Sequence, residues 1–321
     1  MRVVRLGTSR RLCNLGMVGL LFGLMAVGVH KAQAATPIAV TRVTGGSDGK
    51  QVWDVQSSPE LFARLPAALR QRGTLNIATD PSSPPYESYG TDNRTLHGAD
   101  IDLGDAIAAK LGLTARWTAL QFPGIIAAIE AGRFDMAMAS MGDTPARERQ
   151  VDFVDYSTDG NALIVPRGNP KNIRTIADLC GKSIAVLQGS VMLGLVEKQN
   201  ARCTQKIDIR IFSDLNQVLL QVLTGRADAT MYQFGVAAYI IKTTPSAAGL
   251  DLLSFQQYGV GYNAIPFRKS DTALRNAVAD ALRALKADGI YARILAAWGM
   301  GPNGLEKITV NDGQRFNQPS N

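Results

Sequence analysis

The sequence predicts an α/β protein of two lobes that face each other across a cleft. Two stretches, at about residues 74–139 and 183–233, alternate short apolar strands with helices, which is typical of parallel sheets flanked by helices. A short motif recurs once in each stretch, as Gly-Arg-Phe-Asp at 132–135 and Gly-Arg-Ala-Asp at 225–228, each time after an apolar helix. A repeat of this kind indicates two similar units in one chain.

Apolar periodicity and end signals predict each element. Apolar residues alternate along the strands and recur every three or four positions along the helices. Pro123 and Asp214 mark the beginnings of two helices, and glycines mark the ends of several. The predicted strands are 75–79, 113–117, 134–139, 183–187 and 207–212. The predicted helices are 59–72, 100–111, 123–131, 214–224 and 271–287.

Two segments lack this periodicity. Residues 35–58 are polar and rich in turn-forming residues, and the chain after Asn303 is polar as well. We therefore expect 35–58 to be a loosely held extension and the C-terminal tail to fray or dock weakly.

The first 34 residues have the composition of a secretory signal peptide. They hold five basic and no acidic residues, an apolar run over 15–29 and a small-x-small site at 32–34. The run is shorter than the roughly 20 residues that span a bilayer. We expect cleavage near Ala34 and a mature chain in the periplasm.

The signal segment also accounts for most of the positive charge. The whole chain has 34 Lys and Arg against 27 Asp and Glu, and five of the basic residues lie in the first 34. The mature chain is then close to neutral, so its charge does not indicate nucleic acid as a partner. Since no later segment is long and apolar enough to be a transmembrane helix, we expect a soluble mature chain.

Few residues offer redox, metal or nucleophile chemistry. After residue 34 the cysteines are Cys180 and Cys203. Two cysteines in an exported protein most often pair, here closing a loop of about 24 residues, although two separate buried thiols are the alternative. His97 is the only histidine after residue 34, so we expect neither a metal site nor a Ser/His or Cys/His system, and no cofactor.

A carboxylate-binding turn is predicted directly after the strand at 134–139. Ser140, Thr144 and Arg147 follow that strand, and Thr144-Pro145 begins a helix one turn before Arg147. The planar guanidinium matches a carboxylate in bidentate fashion. The alternative for Arg147 is a solvated charged turn.

A second anion contact is predicted at Gly189-Ser190, between a strand and a helix. Free backbone N–H groups at a helix N-terminus attract anions, although an ordinary capping serine is the alternative for Ser190. Ser140 and Gln233 are each the eighth residue after the glycine of the repeated motif. We expect them at equivalent strand ends, both facing the cleft.

Several stretches resemble the periplasmic solute-binding proteins of bacterial ABC importers, specifically the polar amino-acid (family 3) group. They occur in the family's order from about residue 73 to 300. The matching stretches are Leu75-Asn-Ile-Ala-Thr-Asp80, Pro84-Pro85-Tyr86, Gly98-Ala-Asp-Ile-Asp-Leu103, Ala109-Lys-Leu-Gly112, Gly132-Arg-Phe-Asp135, Thr144-Pro-Ala-Arg147, Val151-Asp-Phe153, Asp178-Leu-Cys-Gly-Lys182, Gln188-Gly-Ser190, Gly225-Arg-Ala-Asp228 and Ala297-Trp-Gly299.

The resemblance implies the two-lobed periplasmic binding protein fold of type II. Each lobe would be a mixed, mainly parallel sheet flanked by helices, and two crossover strands, near 161–165 and 258–263, would join the lobes. The implied division is a signal peptide at 1–34, an N-terminal extension and helix at 35–72, lobe 1 at 73–162 plus 260–321, and lobe 2 at 163–259.

The resemblance also implies roles for the candidate residues. Arg147 would clamp the ligand carboxylate with help from Ser190 and the strand end at 140–142, and Phe122 would pack on the apolar part of the ligand. Asp80, Ser83 and Tyr86, in the loop after the first strand, would line the side-chain pocket. The full predicted ligand-binding set is Asp80, Ser83, Tyr86, Phe122, Ser140, Gly142, Thr144, Arg147, Ser190 and Gln233.

Three positions depart from the family pattern. Gln233 stands where the family usually has an aspartate for the ligand's α-ammonium, and an uncharged amide makes a weaker contact with a cation. Gly142 stands where a Ser or Thr often donates to the carboxylate, and Ser83 replaces an aromatic residue. Because Arg147 is retained, a small carboxylate such as an amino acid or a close analogue is the expected ligand.

These observations predict a substrate-binding protein of an ABC transporter rather than an enzyme. It would be a monomer that closes on its ligand and delivers it to permease subunits in the inner membrane. The alternative is a periplasmic lyase or dehydratase for a cyclic carboxylic acid, with Asp80 as general acid. A substrate without an α-amino group would then explain Gln233. A ligand-sensing module is a third possibility, but the sequence contains no signalling segment.

Overall fold

The computed structural model describes residues 38–316. The expected signal peptide and its cleavage near Ala34 lie outside the described residues and stay predictions. No helix between residues 38 and 316 is long and apolar enough to cross a membrane.

Strands and helices alternate over most of the described chain, as the periodicity predicts. The strands are β1 (Val40–Gly45), β2 (Gln51–Gln56), β3 (Thr74–Thr79), β4 (Ser82–Ser83), β5 (Glu87–Tyr89), β6 (Leu96–His97), β7 (Thr114–Ala119), β8 (Met136–Ala137), β9 (Val151–Pro166), β10 (Ser183–Leu187), β11 (Asp208–Phe212), β12 (Ala229–Gln233) and β13 (Leu250–Arg268). The helices are α1 (Pro59–Arg64), α2 (Ala67–Arg72), α3 (Ala99–Lys110), α4 (Ile125–Glu130), α5 (Pro145–Glu148), α6 (Val191–Arg202), α7 (Leu215–Leu223), α8 (Phe234–Thr243), α9 (Thr272–Ala287) and α10 (Ile290–Ala297).

Two sheets carry the α/β units. In one sheet β3 lies between β7 and β8 and pairs in parallel with both. In the other, β10 pairs in parallel with β11 and β12, and the antiparallel strands β9 and β13 complete the order β11-β10-β12-β9-β13. Helices α3 and α4 pack against the first sheet, and α6, α7 and α8 pack against the second. The predicted α/β class with mixed, partly parallel sheets is confirmed.

The repeated sequence motif has the same structural role in both units. Gly132 and Gly225 both follow a helix and both have φ +68, a left-handed conformation that glycine adopts without strain. The Oδ2 of Asp135 then accepts the N–H of Asn76 in β3 at 2.7 Å, and the Oδ2 of Asp228 accepts the N–H of Ser183 in β10 at 2.9 Å. Each motif therefore ends a helix and fastens the next turn to the beginning of a central parallel strand.

The longest strands connect the two units. β9 has 16 residues and β13 has 19, and they pair antiparallel from Pro166 and Leu250 at one end to Val151 and Arg268 at the other. β9 also pairs with β12, and β13 contacts β8 of the other sheet. The predicted crossovers fall within these two strands. The lobe boundaries at 162/163 and 259/260 stay a prediction.

The predicted loose N-terminal extension is wrong. Strands β1 and β2 form an antiparallel hairpin that packs on α3, with Val43, Trp53 and Val55 buried. The turn after β1 is fixed by Asp102, whose Oδ2 accepts the N–H of Gly46 at 2.8 Å. Only alternate residues of these short strands point inward, so the segment has a polar composition although one face is core.

Two further predictions fail. The predicted helix 59–72 is two helices, α1 and α2, because Pro66 lacks the N–H that a continuous helix needs. The C-terminal tail neither frays nor docks weakly. Residues 304–316 run beside β9, where Asp155 donates its N–H to Thr309 O at 3.1 Å and Phe153 donates its N–H to Asn311 Oδ1 at 2.7 Å.

The two cysteines form the disulfide Cys180–Cys203. It joins the end of a short 3₁₀ turn (Ile176–Leu179) to the C-terminus of α6. Pairing, rather than two separate thiols, is therefore the arrangement in the structure.

The hairpin generates a stability prediction. Trp53→Ala should lower the free energy of unfolding by about 3 to 5 kcal/mol, the usual cost of emptying a buried tryptophan site, because Trp53 is 2% exposed in the core. Val52→Ala is the matched control, since its side chain is 46% exposed on the opposite face of the same strand. Urea unfolding measures both. Equal, small losses for the two variants would contradict a packed hairpin.

Candidate ligand-binding site

A cavity of about 640 Å³ lies at the carboxyl ends of strands from both sheets. Asp80 follows β3, Ser140 follows β8, Gly189 follows β10 and Gln233 ends β12, and all four contribute to the wall. Ligands of open α/β sheets bind at such strand ends. The volume is ordinary for a small-molecule site.

Most of the predicted ligand-binding residues come together here. The structure places nine of the ten in the wall of this one cavity: Asp80, Ser83, Phe122, Ser140, Gly142, Thr144, Arg147, Ser190 and Gln233. Tyr86 lies behind the wall instead, fully buried, and its hydroxyl donates to Asp159 Oδ2 at 2.9 Å. Contact of these residues with a ligand stays a prediction.

Arg147 is positioned by the short helix α5. Thr144 caps this helix by accepting the N–H of Arg147 on its Oγ1 at 3.3 Å, and Pro145 begins it. Arg147 is 8% exposed, and its Cζ lies 5.5 Å from the ring centroid of Phe122. The alternative of a solvated charged turn is therefore not what Arg147 forms.

The guanidinium of Arg147 bridges the two halves of the cavity. Its Nη1 donates to Gly142 O at 2.6 Å, and its Nη2 donates to Gly189 O at 2.8 Å. Burial lowers the pKa of Arg147 to about 10, so the group stays charged at neutral pH. A guanidinium has five N–H donors, and the hydrogen bonds recorded within the described chain use two of them. The remaining donors can hold an anion.

Ser190 contributes to the site mainly through its helix. Its hydroxyl donates to Leu187 O at 2.7 Å and accepts the N–H of Leu193 at 3.2 Å, so it caps α6. What α6 presents to the cavity is therefore its N-terminal turn, next to the Gly189 carbonyl that Arg147 contacts. Free N–H groups and the helix dipole favour an anion at that place.

Ser140 is held by a buried pair of carboxyl groups. Its φ is +42, its N–H donates to Asp100 Oδ2 at 3.1 Å and its Oγ donates to Glu87 Oε1 at 3.1 Å. Burial, with the Asp100 charge beside it, raises the pKa of Glu87 well above its usual value, and burial raises the pKa of Asp100 to about 6. A protonated Glu87 thus donates to Asp100. The hydroxyl of Ser140 faces this pair.

Gln233 contacts the equivalent strand end directly. Its Nε2 donates to Ser140 O at 2.9 Å and to Asn263 Oδ1 at 2.7 Å. The repeat predicts that Ser140 and Gln233 face the cleft, and the structure joins them by a hydrogen bond across it. Both protons of the Gln233 amide are used in these contacts.

Asp80 connects the first loop to the wall that holds Phe122. Its Oδ2 accepts the N–H of Phe122 at 2.8 Å. Burial raises the pKa of Asp80, opposed by that hydrogen bond and by one from Ser82. Ser83 lies in β4 and reaches the same wall.

Sequence reasoning missed other residues of the wall, among them Asp143, Asp159, Asn263 and Phe316. Asp143 follows Gly142 in the predicted turn, and a charge directly after a buried strand was a signal for it. Asp159 and Asn263 lie in β9 and β13 with no motif around them. Phe316 reaches the cavity only because the tail docks on β9 and its ring packs on Tyr262, with ring centroids 4.7 Å apart.

Comparison with known proteins identifies the family. The sequence profile of the bacterial extracellular solute-binding proteins, family 3, matches residues 75–301. The chain belongs to this family. The hairpin β1–β2 and the tail after residue 301 fall outside the matched part.

Individual relatives are consistent with this family assignment. An arginine-binding protein of Corynebacterium glutamicum is 27% identical over 278 residues, which cover 84% of this chain and 88% of the relative. An L-cystine-binding protein of Escherichia coli is 25% identical over 231 residues, covering 72% and 84%. Both are named as binding proteins.

Solved structures give the fold of this solute-binding protein. An ancestral arginine-binding protein bound to arginine has a TM-score of 0.66 and 33% identity, covering 71% of this chain and 98% of that one. An ancestral amino acid-binding protein, described as a precursor of cyclohexadienyl dehydratase, has a TM-score of 0.64 and 29% identity, covering 72% and 97%. The predicted family and the type II fold are confirmed.

A second acidic cluster of this solute-binding protein lies under its tail. Asp143 is 5% exposed, and burial together with the nearby Asp155 and Glu148 raises its pKa to about 9. Burial raises the pKa of Asp155 to about 6, although Thr309 Oγ1 donates to it at 2.6 Å. Asp143 is therefore protonated at neutral pH and brings no charge to the cavity.

This cluster predicts a pH dependence. The native pKa of Asp143 is above that of an unfolded aspartate, so its contribution to the free energy of unfolding is full below pH 4 and is lost as the pH rises towards about 9. Asp143→Asn keeps a neutral side chain of the same shape. Between pH 5 and pH 9, its urea midpoint should fall less than that of the wild type.

Glu306→Gln is the control, because Glu306 lies exposed on the same tail. Its pH profile should follow the wild type. An Asp143→Asn profile parallel to the wild type would show that Asp143 is ionised in the native state at neutral pH.

Proposed function

We propose that this chain is the substrate-binding protein of an ABC importer and that it captures a cationic amino acid of the arginine class. The observation that carries this proposal is the charge pattern of the cavity wall. One buried guanidinium faces carbonyl groups, and two carboxylates of the wall remain for cationic groups.

The carboxylate of the ligand would bind between Arg147 and the N-terminus of α6. Arg147 would supply the N–H donors that do not bond to Gly142 O or Gly189 O, and α6 would supply backbone N–H groups. A charge-assisted, bidentate contact is among the strongest hydrogen-bonded arrangements in proteins. Since Gly142 follows β8 of one sheet and Gly189 follows β10 of the other, an anion here would contact both lobes.

The charge balance of the wall favours a ligand with one net positive charge. Asp143 is neutral because its pKa is about 9. Burial raises the pKa of both Asp80 and Asp159, opposed by hydrogen bonds from backbone N–H groups, and a cationic ligand beside them would favour their ionised forms. In their ionised forms, these two carboxylates and Arg147 give the wall one net negative charge. An uncompensated charge in a closed site is costly. Arginine, lysine and ornithine each carry one net positive charge, which would balance the wall.

The relatives support the same ligand class. Besides the arginine-binding proteins, a lysine/arginine/ornithine-binding periplasmic protein of Escherichia coli is 27% identical over 228 residues. The other basic residues of the wall, Arg149 and Lys198, are exposed, so solvent screens their charges.

Function would follow from closure of the lobes. A ligand that contacts both lobes favours the closed form, and binding then acts as a population shift that the permease recognises. The expected periplasmic location, the monomeric state and the permease partner belong to this proposal.

A lyase on the same fold is the second candidate. It is favoured by the raised pKa of Asp80 in the cavity wall, which suits a general acid, and by the similarity to the described dehydratase precursor. Release of product from a prephenate-like acid, measured with the purified protein, would support it.

A thermal-shift panel tests the ligand class. Arginine, lysine and ornithine should each raise the melting temperature more than glutamine, alanine or aspartate do. A ligand at about 100 times its dissociation constant adds about 2.7 kcal/mol to the free energy of unfolding. A larger shift with aspartate, or with neutral amino acids only, would contradict a cation-selective site.

Arg147→Ala tests the carboxylate site. Removing the guanidinium should weaken binding of the best ligand by 2 kcal/mol or more, about 30-fold at least. At about 100 times the wild-type dissociation constant, the ligand-induced stabilisation should then fall to about a third or less of the wild-type value. Arg149→Ala is the matched control, because Arg149 is exposed and donates to Pro145 O. An unchanged shift in Arg147→Ala would refute the carboxylate clamp.

A further inference from the structure

We propose that Asp159 binds the α-ammonium group of the ligand, in place of the carboxylate that Gln233 does not provide. This inference rests on the proposed function, since it requires an amino-acid ligand. It makes Asp159 the residue that distinguishes amino acids from carboxylic acids without an α-amino group.

Gln233 is poorly suited to hold a cation. The two protons of its amide already point at Ser140 O and Asn263 Oδ1, the oxygens at this strand end that an ammonium would otherwise use. Its side chain thus uses one acceptor position on each of these oxygens for its own donors. What it can offer a ligand is a neutral amide oxygen, which is a weaker acceptor for a cation than a carboxylate.

The sheet register brings Asp159 to the same end of the cavity. Asn161 is the partner of Gln233 across β9 and β12, and Asp159 lies two residues further along β9, on the same face. The N–H of Gly235, two residues after Gln233, donates to Asp159 Oδ2 at 3.3 Å. On the other side, Asp159 pairs with Gly261 of β13, which also lines the cavity.

The carboxylate of Asp159 is held in place and still has capacity for a ligand. Its Oδ2 accepts the hydroxyl of Tyr86 at 2.9 Å and the N–H of Gly235, and its Oδ1 accepts the N–H of Gly160 at 2.8 Å. A carboxylate has about four acceptor positions, so about one remains. The buried Tyr86 thus orients the charge, and fixed charges bind with little reorganisation.

The other acids of the wall are less suited to this role. Asp143 is protonated at neutral pH and shares its environment with Asp155 and Glu148. Asp80 lies after β3 in the opposite sheet and holds the N–H of Phe122. Asp80 therefore suits the cationic side chain of the ligand, which leaves Asp159 for the α-ammonium group.

A glycine keeps the carboxylate of Asp159 accessible. A Cβ placed on Gly235 would lie 3.0 Å from Asp159 Oδ2, closer than ordinary contacts. Gly235→Ala should therefore displace the carboxylate without removing its charge, which provides a second test that does not alter Asp159.

The experiment compares two ligands that differ in one group. Calorimetry measures the affinities of L-arginine and 5-guanidinopentanoic acid for the wild type, Asp159→Asn, Gly235→Ala and Gln233→Ala. The second ligand has the same carboxylate and guanidinium as arginine but no α-amino group. The wild type should prefer arginine by about 100-fold, in line with a desolvated charge pair. Asp159→Asn should lose most of this preference, because arginine weakens while the des-amino acid changes only a few-fold. Gly235→Ala should reduce the preference, and Gln233→Ala should keep it.

Three results would overturn the proposal. Equal weakening of both ligands by Asp159→Asn would mean that Asp159 acts only through the packing of Tyr86 and Gly235. Loss of the preference in Gln233→Ala but not in Asp159→Asn would return the role to Gln233. Failure of the wild type to bind any amino acid of the thermal-shift panel would refute the proposed function itself, and this inference with it.

Discussion

The buried guanidinium of Arg147 is the constraint to which the rest of the site is adapted. Taking this group out of water is costly unless polar partners replace the solvent. The described structure supplies two carbonyl oxygens, one from each side of the cavity, and these partly compensate the charge. In the proposed function a small anion would complete the compensation, so the affinity for a carboxylate and the attraction between the lobes would have the same physical origin.

The other buried acids are arranged so that they do not compete with the proposed anion site. Glu87 with Asp100, and Asp143 with Asp155, lie close enough to hold protons at a pH where exposed carboxyl groups are ionised. These groups therefore act as hydrogen-bonding residues that fix the strand ends around Ser140 and the tail.

The sequence predicts most features that depend on neighbouring residues and few of those that depend on pairing between segments far apart in the chain. Arg147 and Ser190 were found because each directly follows a strand and begins a helix, and the repeated glycines relate Ser140 to Gln233. Asp159 was missed because its position depends on the register between β9 and β12. Paired residues of these strands, such as Ala162 and Tyr232, lie 70 residues apart along the chain. Local composition gives no information about such a register.

The same reason explains the errors at the two ends of the described chain. The hairpin around Trp53 and the tail around Asn311 are polar in composition, and each becomes ordered only against a partner that lies far away in the sequence. Pro66 is the opposite case, because a broken helix follows directly from the residue itself.

The docked tail has a consequence for handling the protein. Gly313 and Phe316 form part of the cavity wall, so a ligand bound in this cavity would be thermodynamically linked to residues 304–316. Removing the tail from β9 would open the cavity, and by reciprocity a ligand bound there would protect the tail from proteases. A purification tag or a surface tether attached at this end would change the affinity that it is meant to help measure.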